Sequence, residues 1–177
     1  PAGSQGHVHA LLDGTLDLAL ASFPRRPPPG LVTEPLATEP LLLVCGREHP
    51  LSAGTPVGLA DLAEQTFAEF PEGWGTRDLI DMAFDRHGLT RQVPLEVPDY
   101  ATAAALIRQG HVLGFLPESI VARQPGLIAV PLKDLKPAWN VALATSATRP
   151  LSRAALALMA ELRRGAGEPD AEPAAAR

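Results

Sequence analysis

The chain has 177 residues, 46% of them hydrophobic, which is enough to bury a core and form one or two small domains. Fifteen basic against twenty acidic residues give a net charge of −5, with no block of one sign. That balance excludes gripping nucleic acid or an anionic membrane through this segment itself.

A single cysteine, Cys45 in the run "PLLLVCG", excludes an internal disulfide and reads as a buried thiol in a reducing compartment. No apolar stretch approaches the roughly 20 residues of a membrane-spanning helix. The start, "PAGSQGHVHALLDG", has neither a basic opening nor an apolar signal core. Its lack of an initiator methionine is what a fragment or a processed chain would show.

Residues 7–14 read as the end of a helix closed by Gly14, and 15–21 as a short buried strand. Residues 22–30, "SFPRRPPPG", cannot be regular, because consecutive prolines remove donors and restrict their neighbours. Two strands follow at 31–37 and 39–46, where Pro35 and Pro40 call for edge or entry positions. Then come a turn at 47–52, a short helix at 59–65 and a strand at 66–70. Thr76 is a good N-cap for a helix over 77–87, with Gly88 as its stop. Leu79, Ile80, Ala83 and Phe84 share one face of that helix, and Asp78, Asp81 and Asp85 read as a solvated one.

The pattern continues with a strand at 93–99, a helix at 100–110 capped by Asp99, and a strand at 111–117. A short helix follows Pro117, then strands at 127–132 and 139–145. Residues 152–164 form an amphipathic helix that closes on Arg163 and Arg164, and 165–177 read as a disordered tail. This alternation of strands and helices predicts an α/β architecture with a largely parallel sheet. The layout suggests two lobes joined by two crossing strands.

Catalytic constellations are weak. The five histidines lie in different elements, and the His7/His9 spacing does not converge on a helix. No ligand spacing suits a metal, and no nucleophile elbow or phosphate loop occurs. Three stretches remain for binding. At 69–77, "EFPEGWGTR", glycines let backbone N–H groups approach a ligand and a helix start favours an anion. A plain strand-to-helix turn, with Trp74 folded on the core, accounts for the same residues. Residues 99–102 offer the Thr102 hydroxyl or simply a cap, and 114–117, "GFLP", end a strand. All three lie beyond strand carboxyl ends, where ligands gather in open α/β sheets.

Five phrases stand in order: "LLDGTLDLAL", "GLVTEPLATEPLLLVCGREHPLS", "LADLAEQTFAEFPEGWGTRDLIDMAFDRHGL", "EVPDYATAAALIRQGHVLGFLP" and "LIAVPL…WNVALAT". Over about residues 5–164 they resemble the effector-binding domain of LysR-type bacterial transcriptional regulators. The resemblance implies an α/β, two-lobed fold of the type II periplasmic-binding-protein kind, with a small-molecule cleft between the lobes. Lobe I would comprise 1–43 with 134–164 and be incomplete; lobe II would be 44–133.

By the same resemblance, the ligand-binding residues are Phe70, Gly73, Trp74, Gly75, Thr76, Arg77, Asp99, Thr102, Phe115 and Pro117. It implies a small effector, with an anion favoured by the converging helix starts, and no cofactor. It further implies a cytoplasmic homodimer or homotetramer that meets DNA only through an N-terminal helix-turn-helix absent from this chain, and no membrane. The family's opening strand and helix are also absent. The expectation is therefore a cleft short of one wall, an apolar sheet edge, and a poorly soluble or adventitiously paired chain. The alternatives on this fold are a transporter's solute-binding protein, which requires export, and an enzyme. For the enzyme the sequence shows no paired nucleophile and base, so the chain reads as non-enzymatic.

Overall fold

The computed structural model describes residues 3–166. Helix α1 (Ser4–Asp13) stops at Gly14, whose φ of 86° lets its N–H reach Ala10 O. The Asp13 carboxylate reinforces that stop by accepting from Thr15 N–H at 2.9 Å and Thr15 Oγ1 at 2.8 Å. Strand β1 (Leu18–Ala21) follows, and the proline-rich stretch after it is irregular, as its composition requires.

Residues 31–46 form one continuous strand, β2 (Leu31–Gly46), rather than the two expected. A register shift between Pro35 and Ala37 opposite β7 (Ala138–Ser146) absorbs the break that the prolines suggested. Over 31–40 the only strand paired with β2 among the described residues is β7, so Pro35 and Pro40 lie on an edge. β1 pairs with the other side of β7.

The second half of β2 enters another sheet, between β5 (Gly114–Pro117) and β6 (Leu127–Ala129). β3 (Thr66–Glu69) lies beside β5 through Phe67–Leu113 bridging, and β4 (Gln92–Glu96) lies beside β3. The pairing corrects the expectation of a largely parallel sheet. β3, β4, β5 and β6 run in one direction, as helical crossovers demand, but β2 runs against both its neighbours. β7 likewise opposes β1 and β2. The two long strands reverse the local direction wherever they insert.

Alternation along these strands sorts two cores. Leu41, Leu43 and Cys45 of β2, Phe67 of β3 and Phe115 of β5 face one side, where Ile80 and Phe84 of α3 (Gly75–Arg86) cover them. Val44, Ala68 and Leu116 face the other side, under Ala103, Ala104 and Ile107 of α4 (Tyr100–Arg108). Cys45 is fully buried and unpaired, and burial pushes its thiol up from the ordinary value. Short helices α2 (Leu59–Leu62) and α5 (Glu118–Val121) fill the remaining connections.

On the first sheet the core is slight: Leu11, Ala19 and Ala144, with Phe23 and Leu31 against them. Helix α6 (Arg153–Ala166) lies near β2, tied by Arg163 to Glu34 at 2.8 Å, and it runs two residues beyond the expected end. Residues 167–177, the rest of the expected tail, lie outside the described residues.

Candidate functional site

The loop before α3 is built to bring that helix start against α1. Gly73 adopts φ 84°, turning the chain so that its carbonyl accepts from Gln5 N–H at 3.2 Å. Trp74, not Thr76, is the residue preceding the helix, and it contributes no side-chain cap. The Asp78 carboxylate instead reaches back to accept from Gly73 N–H at 3.1 Å, bracing the loop, and Thr76 sits inside the first turn. Ser4 Oγ accepts from Ser22 N–H at 3.1 Å, fixing the loop after β1 to the start of α1.

These contacts border a half-open cavity of about 260 Å³ lined by Gly3, Ser4, His7, Ser22, Trp74, Gly75, Thr76, Tyr100 and Trp139, together with Leu20, Ala21 and Val141. Its aromatic wall is continuous. Trp74 stacks on Phe70 at 5.0 Å, Tyr100 meets Phe70 edge-on at 4.8 Å, and Trp139 meets Tyr100 at 6.3 Å. Burial pushes the Tyr100 phenol up to about 12, so it remains a neutral hydroxyl. Three buried polar atoms of this wall, His7 Nδ1, Thr76 Oγ1 and Trp139 Nε1, have no hydrogen-bond partner. The Thr76 hydroxyl lies beside the Tyr100 phenol and pulls against the rise of its pKa.

Comparison with known proteins decides the family. The LysR substrate binding domain profile matches residues 1–167. The chain belongs to the LysR substrate-binding-domain family. It is 31% identical, over 153 residues, to the HTH-type transcriptional regulator CbbR of Cereibacter sphaeroides, covering 83% of this chain and 48% of that protein. The chain spans under half the length of the curated relatives it matches. Its fold is similar to that of the CcmR regulatory domain of Synechocystis in complex with 2-PG, at TM-score 0.79 and 22% identity, covering 94% of this chain and 81% of that one. It is also similar to the effector binding domain of QuiR in complex with shikimate, at TM-score 0.80 and 21% identity, covering 93% and 78% respectively. No helix among the described residues is long and apolar enough to cross a membrane.

Within this LysR-family domain the structure sorts the sequence candidates. Trp74, Gly75 and Thr76 line the cavity. Phe70 backs its aromatic wall, and Gly73 ties the wall to α1. Arg77 does not line the cavity: its guanidinium lies 2.6 Å from Asp81, donates to Phe70 O at 3.0 Å and reaches Glu96 at 3.8 Å. Asp99 caps α4, accepting from Thr102 N–H at 2.8 Å and from the Thr102 hydroxyl at 3.0 Å. Phe115 stacks on Phe67 at 6.0 Å in the core, and Pro117 pairs with Leu41 at the end of β5.

The acidic face of α3 also departs from expectation. Asp81 pairs with Arg77 and Arg91 and Asp78 holds the loop, so only Asp85 is a plainly exposed member. Sequence reasoning missed Ser4, His7, Ser22, Tyr100 and Trp139. The signal that could have found Ser22 is its place beyond a strand carboxyl end, and Tyr100 lay unnamed within the 99–102 stretch. His7 was set aside with His9, which in fact faces a different groove.

Proposed function

We propose that this chain is the effector-sensing part of a LysR-type transcriptional regulator and that the effector occupies the 260 Å³ cavity where α1, α3, α4 and β7 meet. The observation that carries this reading is the set of three unpartnered buried polar atoms in the wall of one cavity. Buried groups of this kind are ordinarily satisfied, and closure of the wall around a ligand would bring them partners.

In this reading residues 1–43 with 134–164 form one lobe and 44–133 the other, and β2 and β7 connect them. Closure of the lobes on the effector biases the packing of a cytoplasmic homodimer or homotetramer, and a separate DNA-binding domain carries the output. Shikimate and 2-PG, found in the fold relatives QuiR and CcmR, mark the size of effector to try first.

Both tryptophans of the chain line the cavity, so intrinsic fluorescence reports on occupancy directly. A screen of small carboxylic acids by fluorescence and thermal shift is expected to find a stabilising ligand. Trp74→Ala should then weaken its binding about tenfold or more while the protein remains folded. A ligand that stabilises the protein equally in wild type and Trp74→Ala places the site elsewhere.

A further inference from the structure

Arg77 turns away from the cavity, yet its position is not one that a helix offers a cation for its own sake. It is the third residue of α3, where the helix dipole disfavours positive charge, and its side chain is only 11% exposed. Its guanidinium serves two acceptors at once. Nε lies 2.6 Å from Asp81 Oδ2, and Nη1 donates to Phe70 O at 3.0 Å. No other donor reaches Phe70 O among the described residues.

The second oxygen of Asp81 accepts from Arg91 Nη2 at 2.8 Å, and Arg91 Nη1 donates to Glu69 at 2.8 Å. Arg91 is held in turn over the Phe67 and Phe84 rings, with its Nε buried and without a partner. Glu69 directly precedes Phe70, so the four side chains form a chain that returns to its starting point. One end grips the Phe70 carbonyl and the other grips the neighbouring side chain. A buried ion-pair network of this kind is a weak source of stability, and its best-attested use is to fix one arrangement against others. What it fixes here is the aromatic wall. Phe70 stacks on Trp74 at 5.0 Å and meets Tyr100 edge-on at 4.8 Å. Apolar burial is non-directional and leaves those rings free to slide, whereas a carbonyl bonded to a guanidinium has one place.

We infer that Arg77 and Asp81 are positioning residues of the cavity: they touch no ligand, and they set the place of the Phe70–Trp74 wall that does. The inference rests on the cavity being the effector site.

Trp139→Phe leaves Trp74 as the sole tryptophan, so near-ultraviolet circular dichroism and acrylamide quenching then read the wall without any ligand. In that background, Arg77→Met removes the charge and the donors, and Asp81→Asn keeps the shape but removes the anion that both arginines share. Both are expected to lose the Trp74 near-ultraviolet band and to open the indole to quencher while still melting cooperatively. Asp85→Asn, on an exposed carboxylate of the same helix, should change neither signal. A merely structural role would lower the thermal midpoint and leave the Trp74 signals of the folded variants as they were, and that result overturns the proposal. If Arg77→Met does not fold, Asp81→Asn decides alone by the same criterion.

With both tryptophans in place, shikimate titrated calorimetrically should bind Arg77→Met about tenfold more weakly than wild type. If the Trp74 signals stay unchanged while Trp74→Ala still abolishes shikimate binding, the positioning role fails and the cavity stands as the effector site. If the signals change while shikimate binds wild type, Arg77→Met and Trp74→Ala equally, the wall is positioned as inferred but the ligand sits elsewhere, and the functional reading fails alone.

Discussion

Glu69 is 1% exposed, and its carboxyl accepts from Arg91 at 2.8 Å directly beneath the loop that carries Phe70 and Trp74. Arg91 also reaches Asp81 at 2.8 Å and lies over the Phe67 and Phe84 rings at 5.3 and 5.6 Å. Burial pushes the Glu69 carboxyl up to about 7 from an ordinary 4.5, against the opposing pull of Arg91 and Arg77. A carboxyl that holds its proton more tightly folded than unfolded contributes stability that is fully present below 4.5 and lost as pH rises through 7. Asp78, raised by burial, acts in the same direction, while His49, held neutral by burial, acts in the opposite one. Asp13, Glu34 and Asp99 are lowered by hydrogen bonds, so they lose their contribution only in more acid solution, outside this window. The informative quantity is therefore the difference between wild type and Glu69→Gln. Thermal midpoints from about pH 5 to pH 7.5 should fall more steeply in wild type, and parallel curves would assign the slope to other groups. Composition marked this stretch of the chain as special, but not the reason. The partner, Arg91, is 22 residues distant, between the helix and the strand that the pattern marked. Thr76 shows the same limit: its cap preference was legible, whereas the competing Asp78 carboxylate five residues after Gly73 depended on the turn actually formed.

At the scale of elements, the contact between α1 and α3 rests on absent side chains. A Cβ on Gly75 would lie 2.4 Å from Ser22 Cβ, and one on Gly3 would lie 2.6 Å from Trp74 Cδ1. Alanine at a helical position is ordinarily favourable by about 1 kcal/mol over glycine. Gly75 is the first residue of α3, where that gain is smaller, so Gly75→Ala should lower the thermal midpoint by about 4 °C or more while the protein still folds. Effector affinity is expected to fall at least about tenfold, since relieving the clash pushes Ser22 and the α1 start away from Thr76. Unchanged affinity in a folded Gly75→Ala protein would show that the close approach is not part of the binding form. Most elements were legible in the sequence because their signals are local: Gly14 stopping α1, Asp99 capping α4, and period-two alternation in β2 and β5. Strand direction was not legible. Helical crossovers fix β3 to β6 as mutually parallel, but where β2 inserts between them depends on tertiary packing that no local pattern encodes.

For the molecule as a whole, the buried core is unequal. Two clusters of twelve and nine buried residues hold the sheet around β3 and β5, whereas three buried residues hold α1 and β1 against β7. Leu12, Leu16 and Leu20 of this part remain 41, 38 and 43% exposed. This division also explains why the site was only half legible. Trp74, Gly75 and Thr76 fall in one telling phrase, but Ser4, His7 and Ser22 come from the lightly cored part and Trp139 from the far end of the chain. Free energies of local opening follow buried apolar contact, so the two regions should exchange amide hydrogens unequally. Amides of Leu43, Val44 and Phe115 are expected to exchange slowest. Those of Leu11, Ala19 and Leu20 should exchange at least about tenfold faster, a difference of about 1.4 kcal/mol. A bound effector touches both regions, and at a hundred times its Kd it adds about 2.7 kcal/mol to any state that opening of the cavity abolishes. Saturation should therefore slow exchange at Leu11 and Ala19 more than at Phe115, whose opening already requires breaking the larger core. Uniform exchange across both regions without ligand would mean that the chain opens as one unit, and the cavity would then gain no selective advantage from its lightly held wall.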